Sequence, residues 1–443
     1  MKLWQKEKDI NKRIEDFTIG NDRELDLLLA RYDVLGSLAH IAMLRKIGLL
    51  TAEEHEKLRD ELKQIYKVIE NGNFRIEEGV EDVHSQVELM LTRKLGDTGK
   101  KIHSARSRND QVLLDLKLFA RSSILLVIES VSRLFNTLIE SSNTHKNVLM
   151  PGYTHLQVAM PSSFGLWFGA WAESLTDDLI LLQAAFRITN QNPLGSAAGY
   201  GSSLPVDRQM TTDLLGFDRM NYNVVYAQMG RGKMERVVTG ALGSVAATLS
   251  RLAYDACLFM SQNFGFISLP EEFTTGSSIM PHKKNPDVFE LIRAKCNRLQ
   301  ALNNEFILLT NNLPSGYFRD MQILKESFMG SFGILTDCLD MTDFVMKNIE
   351  VNRNILDDDK YKYLFSVEEV NREVKKGIPF RDAYKHIGES IKRGDFNPTS
   401  DINHTHDGSM GNLCNEQIVK KFNEIMAGIE RMKIQQAEKD LLK

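Results

Sequence analysis

The residues best suited to chemistry in this chain sit in four polar breaks between long apolar stretches. Residues 275–287 hold Gly276, Ser277, Ser278, Lys283, Lys284, Asn285, Pro286 and Asp287. That composition predicts a loop rich in hydroxyls and positive charge, and such a loop suits proton abstraction next to a carboxylate. The intermediate of that step carries two negative charges on the carboxylate, so catalysis needs preorganised donors and cations around it. Lys283, Asn285 and backbone N–H groups can supply them. A serine such as Ser277 becomes a base only where its alkoxide is stabilised, and the same surroundings do that.

A second break, residues 101–110, carries His103, Ser104, Arg106, Ser107, Arg108 and Asn109 just ahead of the longest apolar-periodic stretch. A helix N-terminus offers free N–H groups and a positive dipole end, so with these side chains it can hold a carboxylate. Taken alone, it also fits an ordinary polar cap. In the third break, residues 150–157, His155 follows Pro151, Gly152, Tyr153 and Thr154. An imidazole is the commonest general acid or base near neutral pH, although a lone histidine between turn residues and a helix is more often structural. The fourth, residues 313–326, offers Tyr317, Gln322 and Lys325 as positioning groups and is weak evidence by itself.

The elements that must position these breaks read as helices, and convincing alternating strands are absent. Residues 109–150 contain neither Gly nor Pro, and Val112, Leu116, Phe119, Ser123, Val127, Val131, Phe135 and Leu138 recur every three or four positions. A second helix is predicted from Pro161, with Phe164, Trp167, Trp171, Leu175, Leu179 and Leu182 on one side. A third spans about 232–264, where Gly240 and Gly243 permit close approach, and a fourth runs from Pro286 to about 312. A helix as long as the first needs neighbours on several sides, so these four are expected to form a central bundle. The first hundred residues form shorter helices ending near Gly48, Gly72 and Gly96. The expected division is an N-terminal helical domain (1–103), a central bundle (104–356) and a C-terminal helical domain (357–443), a mainly α architecture.

At 443 residues the chain is long enough for several domains, and a net charge of −4 gives it no general attraction to nucleic acid or acidic membranes. Residues 1–8 contain no signal-peptide run, and no stretch of about 18 apolar residues follows, which predicts a cytoplasmic protein without a membrane partner. Cys257, Cys296, Cys338 and Cys414 lie far apart and are expected to be buried thiols. The glycine-rich run 195–201 lacks the lysine of a phosphate loop. His404 and His406 have no further metal ligands at useful spacing, so neither a metal nor a cofactor is expected.

Together these breaks resemble the fumarase/aspartase superfamily, whose signature loop is similar to residues 276–286, and within it the argininosuccinate lyase family. The similarity runs in order through HSARSRNDQ, MPGYTHLQ, NPLGSAAG followed by Pro205-Val206-Asp207-Arg208, KKNPDVFELIRAKC, LPSGYFRDMQILKE and GIPFRDA, from about residue 22 to 388. The resemblance implies a cofactor-free β-elimination that releases fumarate and L-arginine from argininosuccinate in arginine biosynthesis. It also implies a homotetramer whose active sites are built from several chains, with the four breaks converging. By the same resemblance Ser277 and His155 are the catalytic pair. Asn109, Thr154, Asn285, Tyr317, Gln322 and Lys325 bind substrate, and Ser107, Arg108, Lys283 and His84 surround it. Position 282 is His, as in adenylosuccinate lyases, Asp22 stands where a substrate-binding Ser is usual, and residues 221–230 depart from the usual Ser-Asp-Arg-Asp pattern. The alternatives are therefore another lyase of the superfamily, such as one for adenylosuccinate, a lyase for a modified succinyl-amine, or a non-catalytic structural protein.

Overall fold

A computed structural model describes residues 11–443. Long helices dominate it. The N-terminal part holds α1 (Ala30–Lys46), α2 (Ala52–Glu70) and α3 (Val83–Leu95). Gly48, Gly72 and Gly96, all at positive φ, follow these helices in turn, as the sequence suggests. The bundle then comprises α4 (Arg108–Thr144), α5 (Phe164–Thr189), α6 (Lys233–Met260), α7 (Asp287–Thr310) and α8 (Leu324–Lys347). The fifth of these was not anticipated: α8 follows directly on the fourth polar break, and Leu324, Phe328, Leu335 and Leu339 join the core.

Two apolar clusters organise the packing. The larger fills the bundle, with Leu134, Phe164, Phe168, Leu249, Phe289 and Phe328 fully buried. The smaller joins α1 to α3 against the first turns of α4 through Leu35, Leu38, Leu62, Val87, Leu114 and Leu118. The approach of α6 and α7 depends on Gly240, where a Cβ would lie 2.9 Å from Asn303 Nδ2. By composition α6 is apolar enough to cross a membrane, yet half of that stretch is buried inside the protein, as for a core helix.

The largest departure from the helical expectation lies between α4 and α5. Residues 145–163 do not continue a helix; Leu149–Thr154 (β1) and Gln157–Ser163 (β2) form an antiparallel hairpin. Pro161 sits in β2 opposite Pro151, not at a helix start, and Ser163 caps α5 by accepting from Leu166 N at 3.2 Å. A two-stranded ribbon tolerates two prolines because each strand keeps a free edge. The two other sheets among the described residues are pairs of two-residue strands.

Chain direction fixes which ends of the bundle carry the polar breaks. α4, α6 and α8 begin at one end, and α7 finishes there, where a Cβ on Gly232 would meet Thr310 Cγ2 at 2.6 Å. At the other end α4 runs into the hairpin. There α8 leads to Glu350–Val351, which pairs with Ile267–Ser268 just ahead of the 275–285 loop. With 37 residues in α4 at about 1.5 Å each, the two ends lie about 55 Å apart.

Candidate active site

At the first end, the 101–110 and 313–326 breaks meet around a cavity of about 430 Å³, joined by α3 and by residues 22–26. Ser107 caps α4 because its Oγ accepts from Asn109 N at 3.3 Å. Asp110 closes the capping box by accepting from Ser107 N at 2.8 Å. Asp110 Oδ2 also accepts from Gly195 N (3.0 Å) and Ala197 N (2.9 Å), so the glycine-rich run serves to brace this helix start. Burial raises the Asp110 pKa to about 6, against the pull of these N–H groups.

The cavity wall is strongly charged with both signs. Arg108 pairs with Glu81 at 2.9 Å and with Asp82; burial opposes its charge, but these carboxylates outweigh burial and raise its pKa. Lys325 is buried and grips Asp26 at 2.8 Å and Asp22 at 3.2 Å. Burial works against its charge too, and the two aspartates prevail and raise its pKa. Burial raises the Asp22 carboxyl, with Lys325 drawing it partly back. Gln322 Nε2 donates to Thr18 O (2.9 Å) and Ile19 O (3.1 Å), tying the fourth break to the N-terminal segment. Tyr317 OH accepts from Arg231 at 3.1 Å, and Arg231 also donates to Met321 O at 2.8 Å. Arg231, Asp26 and Arg319 were not singled out from sequence. Arg231 lies one residue beyond the 221–230 segment, and only its place at the mouth of α6 marks it.

His84 stands at the back of this cavity. Its Nδ1 lies 2.7 Å from Asp33 Oδ1 and 3.5 Å from Asp115 Oδ2. Burial disfavours its charge, but Asp33, Asp115 and Asp82 more than compensate and raise its pKa to about 9. Asp33, His84 and Asp115 offer ligand atoms within 4.8 Å of one another, close enough for a metal ion. The 2.7 Å contact is a hydrogen-bond length, however, and Arg106 is buried beside the same carboxylates. A proton fits between these groups better than a divalent ion.

The remaining expected site residues lie at the opposite end. Thr154 and His155 are exposed at the hairpin tip, where Thr154 pairs with Gln157 across a two-residue turn. His155 (φ +55°) and Leu156 (φ +58°) both take the left-handed conformation, a type I′ turn built without glycine or asparagine. The His155 ring makes no hydrogen bond to the described residues, so its neighbours do not fix its tautomer within one chain. Ser277 lies in a loop closed by a bridge between Thr275 and Asn285. Its Oγ accepts from Ile279 N (3.4 Å) and Met280 N (3.2 Å), contacts that favour a developing alkoxide. Asn285 Nδ2 donates to Gly276 O at 3.3 Å and holds the loop closed. Lys283 is exposed. Within one chain, then, Ser107, Arg108, Asn109, Tyr317, Gln322, Lys325 and His84 come together, and Thr154, His155, Ser277, Lys283 and Asn285 do not join them.

Of the other sequence expectations, Cys296 and Cys338 are buried, but Cys257 and Cys414 are only half-buried, and all four are free. His404 bonds Glu368 at 2.9 Å rather than gathering ligands.

The charged cavity lies at one end of a long helical bundle and the polar loops at the other, in a mainly α fold like that of fumarases. The chain is similar to EDDS lyase in complex with formate (TM-score 0.76, 21% identity, 98% of this chain and 95% of that one). It is also similar to a class II fumarase from Schistosoma mansoni (TM-score 0.72, 16% identity, 94% of each chain). Residues 2–301 match the lyase family, and an argininosuccinate lyase from Parabacteroides distasonis is 66% identical over 441 residues, covering 100% of this chain and 99% of that relative. The chain belongs to the lyase family and, within it, to the argininosuccinate lyases.

Proposed function

We propose that this chain cleaves argininosuccinate to fumarate and L-arginine, serving arginine biosynthesis in the cytoplasm without a metal or cofactor. The observation that carries this reading is the pairing of charges in the cavity. Arg108, Arg231, Arg319, Lys325 and His84 face Asp22, Asp26 and Asp82, and the substrate likewise combines three carboxylates with a guanidinium and an ammonium. An adenylosuccinate substrate lacks the ammonium and adds a phosphate, for which this wall of mixed sign has no dedicated cluster.

In the proposed step, Ser277, or a base acting with it, takes the proton from the succinyl carbon beside a carboxylate. The electron pair of that C–H bond becomes the double bond of fumarate as the carbon–nitrogen bond breaks, and the nitrogen keeps the electrons of the broken bond. His155 manages the proton on the guanidino side. Lys283 and Asn285 steady the doubly charged carboxylate, while Asn109, Thr154, Tyr317, Gln322 and Lys325 hold the substrate, with Ser107 and Arg108 beside them.

A separation of about 55 Å between the two groups requires that they meet between chains, and we assign the working unit to a homotetramer with shared sites. Purified protein given argininosuccinate alone is expected to release fumarate, followed by ultraviolet absorbance, and arginine in equal amounts. Ser277→Ala and Lys325→Met chains, each inactive alone, are expected to recover activity when unfolded and refolded together, since one class of mixed site keeps both groups intact. Absence of any product from argininosuccinate ends the substrate assignment; absence of recovery in the mixture ends the shared site.

A further inference from the structure

His84 is placed unlike an acid–base histidine. It is 5% exposed at the start of α3, where Asp82 caps the helix by accepting from Ser85 N at 2.8 Å. Carboxylates approach it from three elements: Asp33 from α1, Asp115 from α4, and Asp82 from the turn that opens α3. Cations lie behind those acids. Arg106 is buried near Asp33 and Asp115, and Arg108 is bound to Asp82. Asp26, held by Lys325, also faces Asp115.

The two ring nitrogens therefore have different surroundings. Nδ1 is committed to Asp33 and lies near Asp115. Nε2 has no partner among the described residues, and the ring lines the cavity, so the edge away from the carboxylates is the one left to meet a ligand. Burying a charge is costly unless it is paired and hydrogen-bonded, and the same holds for the acids. Asp33 Oδ2 and Asp115 Oδ2 are buried without hydrogen-bond partners, so removing the proton from His84 would leave this acidic pocket short of a positive charge. Asp33, at 2.7 Å from Nδ1, is the principal partner, and Asp115, at 3.5 Å, supports it.

We propose that Asp33, supported by Asp115, keeps His84 at neutral pH as an imidazolium whose Nε2–H is a fixed cationic donor to a substrate carboxylate. His84 is then a binding residue that exchanges no proton during turnover, and Asp33 and Asp115 are positioning residues that act through it. The inference deepens the proposed function and rests on it for the identity of the carboxylate ligand, but the charge state of His84 is independent of any substrate.

Three measurements on the full-length protein test it. With 13C-labelled histidine, the Cε1–H resonance that disappears in His84→Gln identifies this ring by NMR. It is expected to stay in its imidazolium position through pH 8 and to titrate near pH 9. Titration near the ordinary imidazole value of about 6.5 overturns the proposal. Asp33→Asn is expected to lower that midpoint by more than one pH unit and Asp115→Asn to lower it less, whereas a merely structural role would leave it in place. Should Asp33→Asn not fold, the wild-type titration and Asp115→Asn still decide. The third measurement uses fumarate as a probe, in calorimetry and in steady-state kinetics. His84→Gln is expected to weaken fumarate binding and raise the KM for argininosuccinate at least tenfold, with a smaller change in kcat. A kcat loss of about 10²-fold or more with unchanged KM, the mark of a lost proton-transfer group, overturns it. A titration near 9 in a protein that releases nothing from argininosuccinate upholds the cation and removes only the substrate reading.

Discussion

The cavity end and the hairpin end of the bundle solve opposite problems. At the cavity end the charged groups are buried or half-buried in mutual pairs: Lys325 with Asp22 and Asp26, Arg108 with Glu81 and Asp82, His84 with Asp33. At the hairpin end His155 and Lys283 are exposed and Ser277 is partly so, and the chain supplies them with little beyond backbone turns. Binding groups need fixed positions before the substrate arrives, and a low-dielectric wall of paired charges provides that. The hairpin end has no such wall. Under the proposed assembly its surroundings come from another chain, so one region is finished by folding and the other by association.

The sharpest way to break that contrast is Ser277→Ala. Fumarate release is expected to fall by about 10² to 10⁴-fold, while the thermal unfolding temperature stays within a few degrees, because the side chain is only partly buried and bonds only its own loop. A large loss of stability in that variant would show that the loop is part of the folded frame.

Lys325→Met should do the reverse. It leaves Asp26 buried without its partner, at a cost of about 3 to 5 kcal/mol in urea-induced unfolding, together with loss of activity. Asp22, whose carboxyl burial already raises, relieves some of this by taking up a proton, so the cost should shrink in acid.

A finer test uses pH. His84 has its pKa raised in the folded chain from an ordinary 6.5 to about 9. Its contribution to stability is thus complete below pH 6.5 and is lost as pH rises through 9. Between pH 7 and 8 the wild type should lose about 1 kcal/mol more stability than His84→Gln does. Equal slopes in the two proteins would mean that the cavity end does not draw stability from this charge.

The smallest effect is expected at the hairpin tip. Leu156 is 70% exposed and held at φ +58°, a conformation that costs a residue with a Cβ roughly 1 kcal/mol. Leu156→Gly should therefore leave stability unchanged or raise it by up to about 1 kcal/mol, with calorimetric unfolding as the readout. A marked loss would reveal a packing role for Leu156 inside the chain.

How much of this was legible in the sequence follows the same division. The long helices α4 to α7 were readable because Val112, Leu116, Phe135 and Leu138 on one, and Leu175, Leu179 and Leu182 on the next, repeat at helical spacing and pack as that spacing demands. The hairpin was not. Its turn lacks the Asn-Gly signal, because His155 and Leu156 carry positive φ themselves, and Pro161 looked like a helix start when the actual cap is Ser163 two residues later. α8 has a helical pattern in Leu324, Phe328, Leu335 and Leu339 that the polar run before it obscures. Ser107, Arg108, Asn109, Tyr317, Gln322, Lys325 and His84 were named from motifs and do share one cavity. The buried acids behind them were not found, since Asp33 and Asp115 lie among core residues of α1 and α4 where spacing predicts only packing. Nor can spacing along one chain announce that two groups of residues are kept apart by the length of a helix.

That length turns the bundle into a ruler. If α4 were extended by two turns, the tip bearing His155 would move outward by about 11 Å, and α6, α7 and α8 would each need a matching extension for the Ser277 loop to keep pace. Insertions and deletions in these helices should therefore be far less tolerated than equal changes in the turns at Gly48 or Gly72, even where the inserted residues are good helix formers. Under the proposed assembly a backbone dimension, not only a set of side chains, sets the register of the chemistry.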